Sequence, residues 1–288
     1  MRKKLFFIAA AMLFSFMLSA QNVETLDVSK EPDGKLSKQM NGMTFEGTVQ
    51  NGLKEGTWYE LDAKNLIRKV VQFKEGKMNG AFLVIDETGA LISKSEYLND
   101  QLDGSTYNWV RGGRLTGKKS YKNGLLDGEQ IECYDQGNSR EVAHYKEGLR
   151  DGTTVWFGQD GNKVMSIEYK AGQFEGVQET YYKNGVVMSS KTYKNNILDG
   201  PSVEYYESGA KKTETNYKNG KQTGQVKKYK DVPAEEKKPE KKAEEEKKNE
   251  GKKIETEKKP EIIFDKEKKA EQKTVKNMPE LKPVEKKK

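Results

Sequence analysis

The chain has 288 residues, one cysteine, one histidine and a formal charge of +7. A single cysteine excludes a fold held by internal disulfides. The charge divides into +3 over residues 1–20, +3 over residues 231–288 and only +1 between them, so the central region lacks the basic excess that marks nucleic-acid binders.

The first element is a secretory signal. Arg2, Lys3 and Lys4 form a basic start, Leu5 to Leu18 an apolar run, and Ser19-Ala20 a small-residue cleavage site before Gln21. The run is shorter than the roughly 20 residues a membrane-spanning helix needs. No cysteine follows the cut to carry a lipid. The expected location is therefore outside the cytoplasm: periplasmic, outer-envelope-associated or extracellular.

Residues 21–45 read as a polar lead-in or a degenerate N-terminal cap, with Gly34 and Asn41-Gly42 close to, but off, the pattern that follows. From residue 46 to residue 230 the chain repeats with a period of 24 residues, marked by Gly56, Gly80, Gly104, Gly128, Gly152, Gly176, Gly200 and Gly224. A second series, Gly89, Gly113, Gly137, Gly161, Gly185 and Gly209, keeps the same step. A fixed period of this size means one supersecondary unit copied and stacked.

Each unit carries two turn signals. The first runs from Tyr-Lys-Asn-Gly to an acid or amide and then Gly, as in Tyr121–Gly128. Asn-Gly favours a tight hairpin because both residues tolerate positive φ. Asp100 and Asn196, which stand where the opening Gly is lost, also tolerate it. The second turn centres on the other glycines. Between turns, apolar residues alternate with polar ones, as Leu83 and Ile85 or Val155 and Phe157 do, which is the mark of a strand with one buried face. The returning segment ends on an aromatic residue: Phe73, Tyr97, Tyr121, Tyr145, Tyr169, Tyr193 or Tyr217. The expected fold is all-β, an elongated single-layer antiparallel sheet of about eight hairpins, with an aromatic ladder along it. Such a sheet has little core and must curl or cover its apolar face.

Residues 231–288 hold 19 Lys and 16 Asp or Glu, a composition expected to stay disordered. Ile262-Ile263-Phe264 is the one apolar patch there, a candidate docking motif or a chance cluster.

The Tyr-Lys-Asn-Gly-x-x-Asp-Gly cores of Tyr121–Gly128 and Tyr217–Gly224, with the following aromatic pairs Tyr181-Tyr182 and Tyr205-Tyr206, resemble the MORN repeat, in particular the bacterial variant of YwqK-type proteins. The resemblance covers residues 46–230. It implies an elongated sheet of hairpins used for protein or membrane contact, and some relatives are labelled as antitoxins. The export signal argues against a cytoplasmic antitoxin.

No catalytic residue, cofactor or metal site is expected. His144 lies beside the ladder position Tyr145, and Cys133 fills a slot held elsewhere by Leu61, Ile85, Trp109 and Phe157. The glycine turns lack the strand–turn–helix context and the Gly-Lys-Ser/Thr of a phosphate loop. Two charged rows remain open to two readings, as solvated turn residues or as a docking edge: Lys74, Lys122, Lys146, Lys170, Lys194 and Lys218, and Glu55, Asp103, Asp127, Asp151, Glu175 and Asp199. The candidate binding ladder is Tyr97, Tyr121, Tyr145, Tyr169, Tyr193 and Tyr217. The expected function is a non-enzymatic scaffold that binds a protein partner at the cell envelope, with oligomeric state open. Alternatives are carbohydrate or cell-wall binding, weak membrane-surface binding, and antitoxin-like binding of a toxin. Trp58, Trp109 and Trp156 fall at three different register positions, which disfavours a wall-binding repeat.

Overall fold

A computed structural model of the chain describes residues 22–231. The signal, most of the charged tail and the Ile262–Phe264 patch lie outside the described residues. Regularly spaced turn residues break the chain into short extended segments. In the first half these are β1 (Gly34–Met40), β2 (Met43–Gln50), β3 (Leu53–Leu61), β4 (Ile67–Lys74), β5 (Lys77–Ile85), β6 (Leu91–Leu98), β7 (Gln101–Leu102), β8 (Gly104–Val110) and β9 (Arg114–Lys122). In the second half they are β10 (Leu125–Cys133), β11 (Ser139–Lys146), β12 (Leu149–Arg150), β13 (Gly152–Phe157), β14 (Lys163–Lys170), β15 (Gln173–Tyr181), β16 (Val187–Lys194), β17 (Ile197–Tyr205), β18 (Lys211–Lys218) and β19 (Lys221–Lys228). The strands pair antiparallel in chain order, with β7 and β8 both on β6 and β12 and β13 both on β11, so the array is one open meander. The sheet begins at Gly34, so the lead-in supplies β1 and the start of β2.

The first turns are of one kind. Asn123 and Gly124 have φ of 50° and 78°, and Asn219 and Gly220 repeat this at 49° and 76°. Two successive left-handed residues give the hairpin turn whose twist matches its strands. Asp100 and Asn196, both at φ 67°, hold the second position as expected. They also do more than tolerate it. The Asp100 carboxylate accepts the Met78 N–H at 2.7 Å, and the Asn196 side-chain oxygen accepts the Phe174 N–H at 2.8 Å. In the second turn of the first unit Asn65, at φ 65°, replaces glycine.

Each closing glycine interrupts the pairing with a bulge, as between Leu126 and Gln130 or between Ile167 and Tyr169 on the partner strand. At Gly176 two demands meet. Its φ is 120°, outside the range of L side chains, and the Glu168 carboxylate lies where a Cβ would stand. Glu168 is there because it accepts the Val177 N–H at 3.2 Å. Gln72 and Glu96 accept the equivalent N–H groups of Ala81 and Ser105 at 2.8 and 3.1 Å.

The two faces of the sheet are read from paired residues. One face carries Phe73 opposite Gly56, Val71 opposite Trp58 and Lys69 opposite Glu60, and further on Tyr169 opposite Gly152 and Ile167 opposite Thr154. This is the tyrosine face. At its N-terminal end lies the best-defined core: Val23, Leu26 and Val28 of the lead-in pack on Phe45, Val49, Trp58, Val71 and Phe73. Trp58 is fully buried, its indole lying where a Gly47 side chain would be. The lead-in is thus a strap over β2–β4, which supplies the cover that a single sheet needs where its face is most apolar. Two polar groups latch it. Lys54 Nζ donates to the Val23 and Glu24 carbonyls at 2.5 and 2.8 Å, and Glu60 accepts the Val23 N–H at 3.0 Å.

Candidate partner-binding face

Beyond the strap the tyrosine face continues without a covering segment among the described residues. Tyr97, Tyr121, Tyr145, Tyr169, Tyr193 and Tyr217 all lie on it, each partly exposed. They do not stack on one another directly. Each pairs across the hairpin with the residue two before a closing glycine: Tyr97 with Leu102, Tyr121 with Leu126, Tyr145 with Arg150, Tyr169 with Phe174, Tyr193 with Leu198 and Tyr217 with Gln222. The ladder is therefore interleaved. Phe174 meets Tyr169 and Tyr193 edge-on, with ring centroids 5.1 and 5.6 Å away, the geometry that aromatic quadrupoles favour.

In one unit a cation takes the interleaving slot. The Arg150 guanidinium lies 5.4 Å from the Tyr145 ring centroid, 5.5 Å from Tyr169 and 5.7 Å from Trp156. It donates to Thr154 Oγ1 at 3.0 Å and forms an ion pair with Glu141. Burial works against its charge, but the Glu141 carboxylate outweighs this and raises its pKa. Burial likewise raises the Tyr169 hydroxyl, partly offset by Arg150. The sequence reading missed this row of residues two before each closing glycine. The signal was present, since Lys54, Met78, Leu102, Leu126, Arg150, Phe174 and Leu198 are all long side chains in one register.

The acidic row has a structural role. The carboxylates of Glu55, Asp103, Asp127, Asp151, Glu175 and Asp199 each accept the N–H of the first turn residue one unit on, at 2.8–3.2 Å. The N–H of the second turn residue goes to a carbonyl of the preceding unit, as from Gly172 to Arg150 at 2.8 Å. Both inward donors of a turn are thus satisfied by the unit before it, and the acids act as staples between units. The lysine row is exposed, and Lys218 pairs with Asp199 at 3.0 Å.

His144 occupies the slot that Gln72, Glu96 and Glu168 fill in other units, over a closing glycine. A Cβ on Gly152 would lie 3.3 Å from His144 Cβ, and its Nδ1 lies 3.1 Å from the Thr153 carbonyl oxygen. Cys133 is partly buried and burial raises its thiol pKa, so it stays protonated at neutral pH. Among the described residues no group of three or more His, Cys, Asp or Glu stands close enough to hold a metal, and no helix is long and apolar enough to cross a membrane.

The model of the MORN repeat variant matches residues 174–195 and 198–219, two adjacent units running from the interleaving residue through the strand pair to the first residue of the turn. The chain carries MORN repeats of this variant at these two units. The other units share the 24-residue register and the left-handed first turns, and the acid staple recurs at six of those turns. No curated protein matches the chain. Among solved structures, a porin-like protein from Bacteroides uniformis is similar at 8% identity over 67% of this chain and 92% of its own, with a TM-score of 0.15, a likeness that carries no argument.

Proposed function

We propose that this protein is a non-enzymatic scaffold, exported to the cell envelope, whose tyrosine face binds a protein partner. The observation that carries the reading is the division of labour among its side chains. The turn acids, and Gln72, Glu96 and Glu168 over the closing glycines, are spent on the sheet's own backbone N–H groups. The tyrosine face past the strap presents half-buried aromatics whose neighbours change from unit to unit: Thr106 and Lys119, then Gln130 and Ala143, then Thr154 and Ile167, then Gln178 and Lys191, of which Lys119, Gln178 and Lys191 are partly exposed and the others buried beneath the aromatics. Rigid Tyr and Trp anchors with varied polar neighbours suit protein recognition. The near-neutral charge of the array gives no long-range attraction to anionic lipid.

The test is photo-crosslinking in the native host from a reactive residue placed at Lys191 on the tyrosine face or at Glu179 on the opposite face. A discrete protein adduct from position 191 and none from position 179 supports the reading. Equal or absent adducts at both positions, with the chain correctly exported, refute it.

A further inference from the structure

The strap shows what the tyrosine face accepts. Its site consists of Lys54 in the interleaving slot, Phe73 one strand on, and Val49 across the hairpin. The Lys54 ammonium lies 4.8 Å from the Phe73 ring centroid and donates to two strap carbonyls, while Val23 packs on the apolar side chains around it. Lys54 and Arg150 are separated by 96 residues, four repeat periods. They are the two cations in a row otherwise filled by Met78, Leu102, Leu126, Phe174 and Leu198, with Gln222 at the edge.

The equivalence extends to the neighbours. Tyr169 stands to Arg150 as Phe73 stands to Lys54, and Tyr145 stands where Val49 does. Both cations lie against aromatic faces. Lys54 sits beneath the strap and is 6% exposed, whereas the Arg150 side chain remains 25% exposed with no segment over it among the described residues. Its bonds to Thr154 and Glu141 use one N–H on each terminal nitrogen, so a guanidinium with five donors retains capacity.

We propose that the Arg150 node is a second peptide-docking station of this face, taking an extended segment of a protein partner that gives main-chain carbonyls to the guanidinium and an apolar side chain to the Tyr145–Tyr169 pair. This rests on the docking reading above and assigns its anchor. Glu141 already balances the charge of Arg150, so neutral carbonyls suit the node better than an acidic side chain. The occupant is a different protein rather than a second copy, because each copy's strap is already held by its own Lys54.

The experiment selects random linear peptides displayed on phage against the full chain, then measures the winners by calorimetry on variants. Arg150→Leu combined with Glu141→Gln installs the residue that Leu102, Leu126 and Leu198 carry in the same slot and leaves no unpaired carboxylate, so the unit is expected to fold, and its thermal unfolding checks this. The expected result is peptides with spaced apolar residues whose affinity falls about thirtyfold in that variant, the scale of an interface anchor. Arg150→Lys, which copies the Lys54 slot, retains most of the affinity. Peptides that bind the double variant as well as the parent overturn the Arg150 assignment and leave the docking face standing. Failure to select any binder counts against the docking reading itself. A dimer of the full chain that the double variant abolishes gives the node to a second copy and overturns the proposed occupant.

Discussion

Ala171 is an instructive residue for testing how the array is held. It takes the first position of a first turn with φ of 48°, where Asn41, Asn51, Asn99, Asn123, Asn195 and Asn219 lie between 48° and 54°. Glu75 and Glu147 share the position at 51° and 50°. The left-handed region costs an ordinary L-residue ~1–2 kcal/mol, and Asn recovers part of that through its short polar side chain. Ala171 is exposed, and the bond from its N–H to Asp151 at 3.0 Å involves only the backbone. Ala171→Asn therefore changes backbone preference and little else. The expected gain is ~0.5–1 kcal/mol, which for a domain of this size raises the unfolding midpoint by ~2–4 °C per kcal/mol. Adding Glu75→Asn and Glu147→Asn, at turns with no shared partner, should roughly triple the gain. Scanning calorimetry and urea titration measure the midpoints. Amide exchange at residues 171–173 reports the local opening that a stacked array permits. Asn195→Ala is the reverse control and should lose a similar amount. An unchanged midpoint in Ala171→Asn together with a neutral Asn195→Ala would refute the claim that left-handed preference at the turns stabilises the sheet.

Four further outcomes follow from the same geometry. Trp58→Ala should cost ~3–5 kcal/mol in urea titration, because it empties the centre of the strap core, and Gly47→Ala should cost ~1–3 kcal/mol by driving a methyl group into the indole. Gly176→Ala should cost ~1–3 kcal/mol for its φ of 120°, whereas Gly209→Ser, farther from any neighbour, should cost less. Burial lowers the Lys54 pKa from 10.5 to about 8; the unfolded chain then binds more protons between pH 8 and 10.5, so the burial penalty is present below pH 8 and is relieved as pH rises through that window. Urea midpoints of the parent relative to Lys54→Met, compared from pH 7.5 to 10.5, should show the parent gaining. Hydrogen bonds from the Leu66, Thr88 and Asn162 regions lower the Asp62, Asp86 and Asp160 pKa values below 3.8, so their contribution is present above that pH and is lost as pH falls through the depressed values. Carboxyl carbon NMR titration should place all three below 3.8.

The repeat made the fold legible because it acts through the backbone. Every position at which the chain must turn left-handed is restricted to Gly, Asn, Asp or a strained exception such as Ala171, and that restriction shows directly in the sequence. The strand alternation and the aromatic ladder were legible for the same reason: burial on one face selects residue type. What was not legible depends on which atoms meet. The acids before the closing glycines read as surface charge, yet their partners are backbone N–H groups one unit on, which carry no sequence signature. The strap residues Val23, Leu26 and Val28 are scattered in a polar stretch off the 24-residue grid, and only the structure shows them on Trp58. His144 read as an isolated residue because its slot is filled by Gln, Glu, Ser, Thr or Asn elsewhere, a set related by position rather than by chemistry.

In a repeat array the consensus records what stacking requires, and a departure from it marks something the unit does in addition. Most departures here are explained by stacking itself: Asp100 and Asn196 add a bond to the unit before them, and Asn65 keeps the left-handed turn. The cations in the interleaving row are departures of another kind. An apolar residue in that slot packs between aromatic rings at no desolvation cost, whereas a lysine or arginine must be taken out of water and given partners. Lys54 recovers part of that cost from the strap carbonyls. Arg150 recovers part of it from Glu141, which is itself a half-buried charge where Phe45 stands in the strap site. A unit with Leu at position 150 and an apolar residue at position 141 would satisfy stacking more simply. That the chain instead carries a partly desolvated ion pair among three aromatic rings, at the place where its own strap docks four units earlier, is the reason to look for the partner at Arg150 before any other point on the sheet.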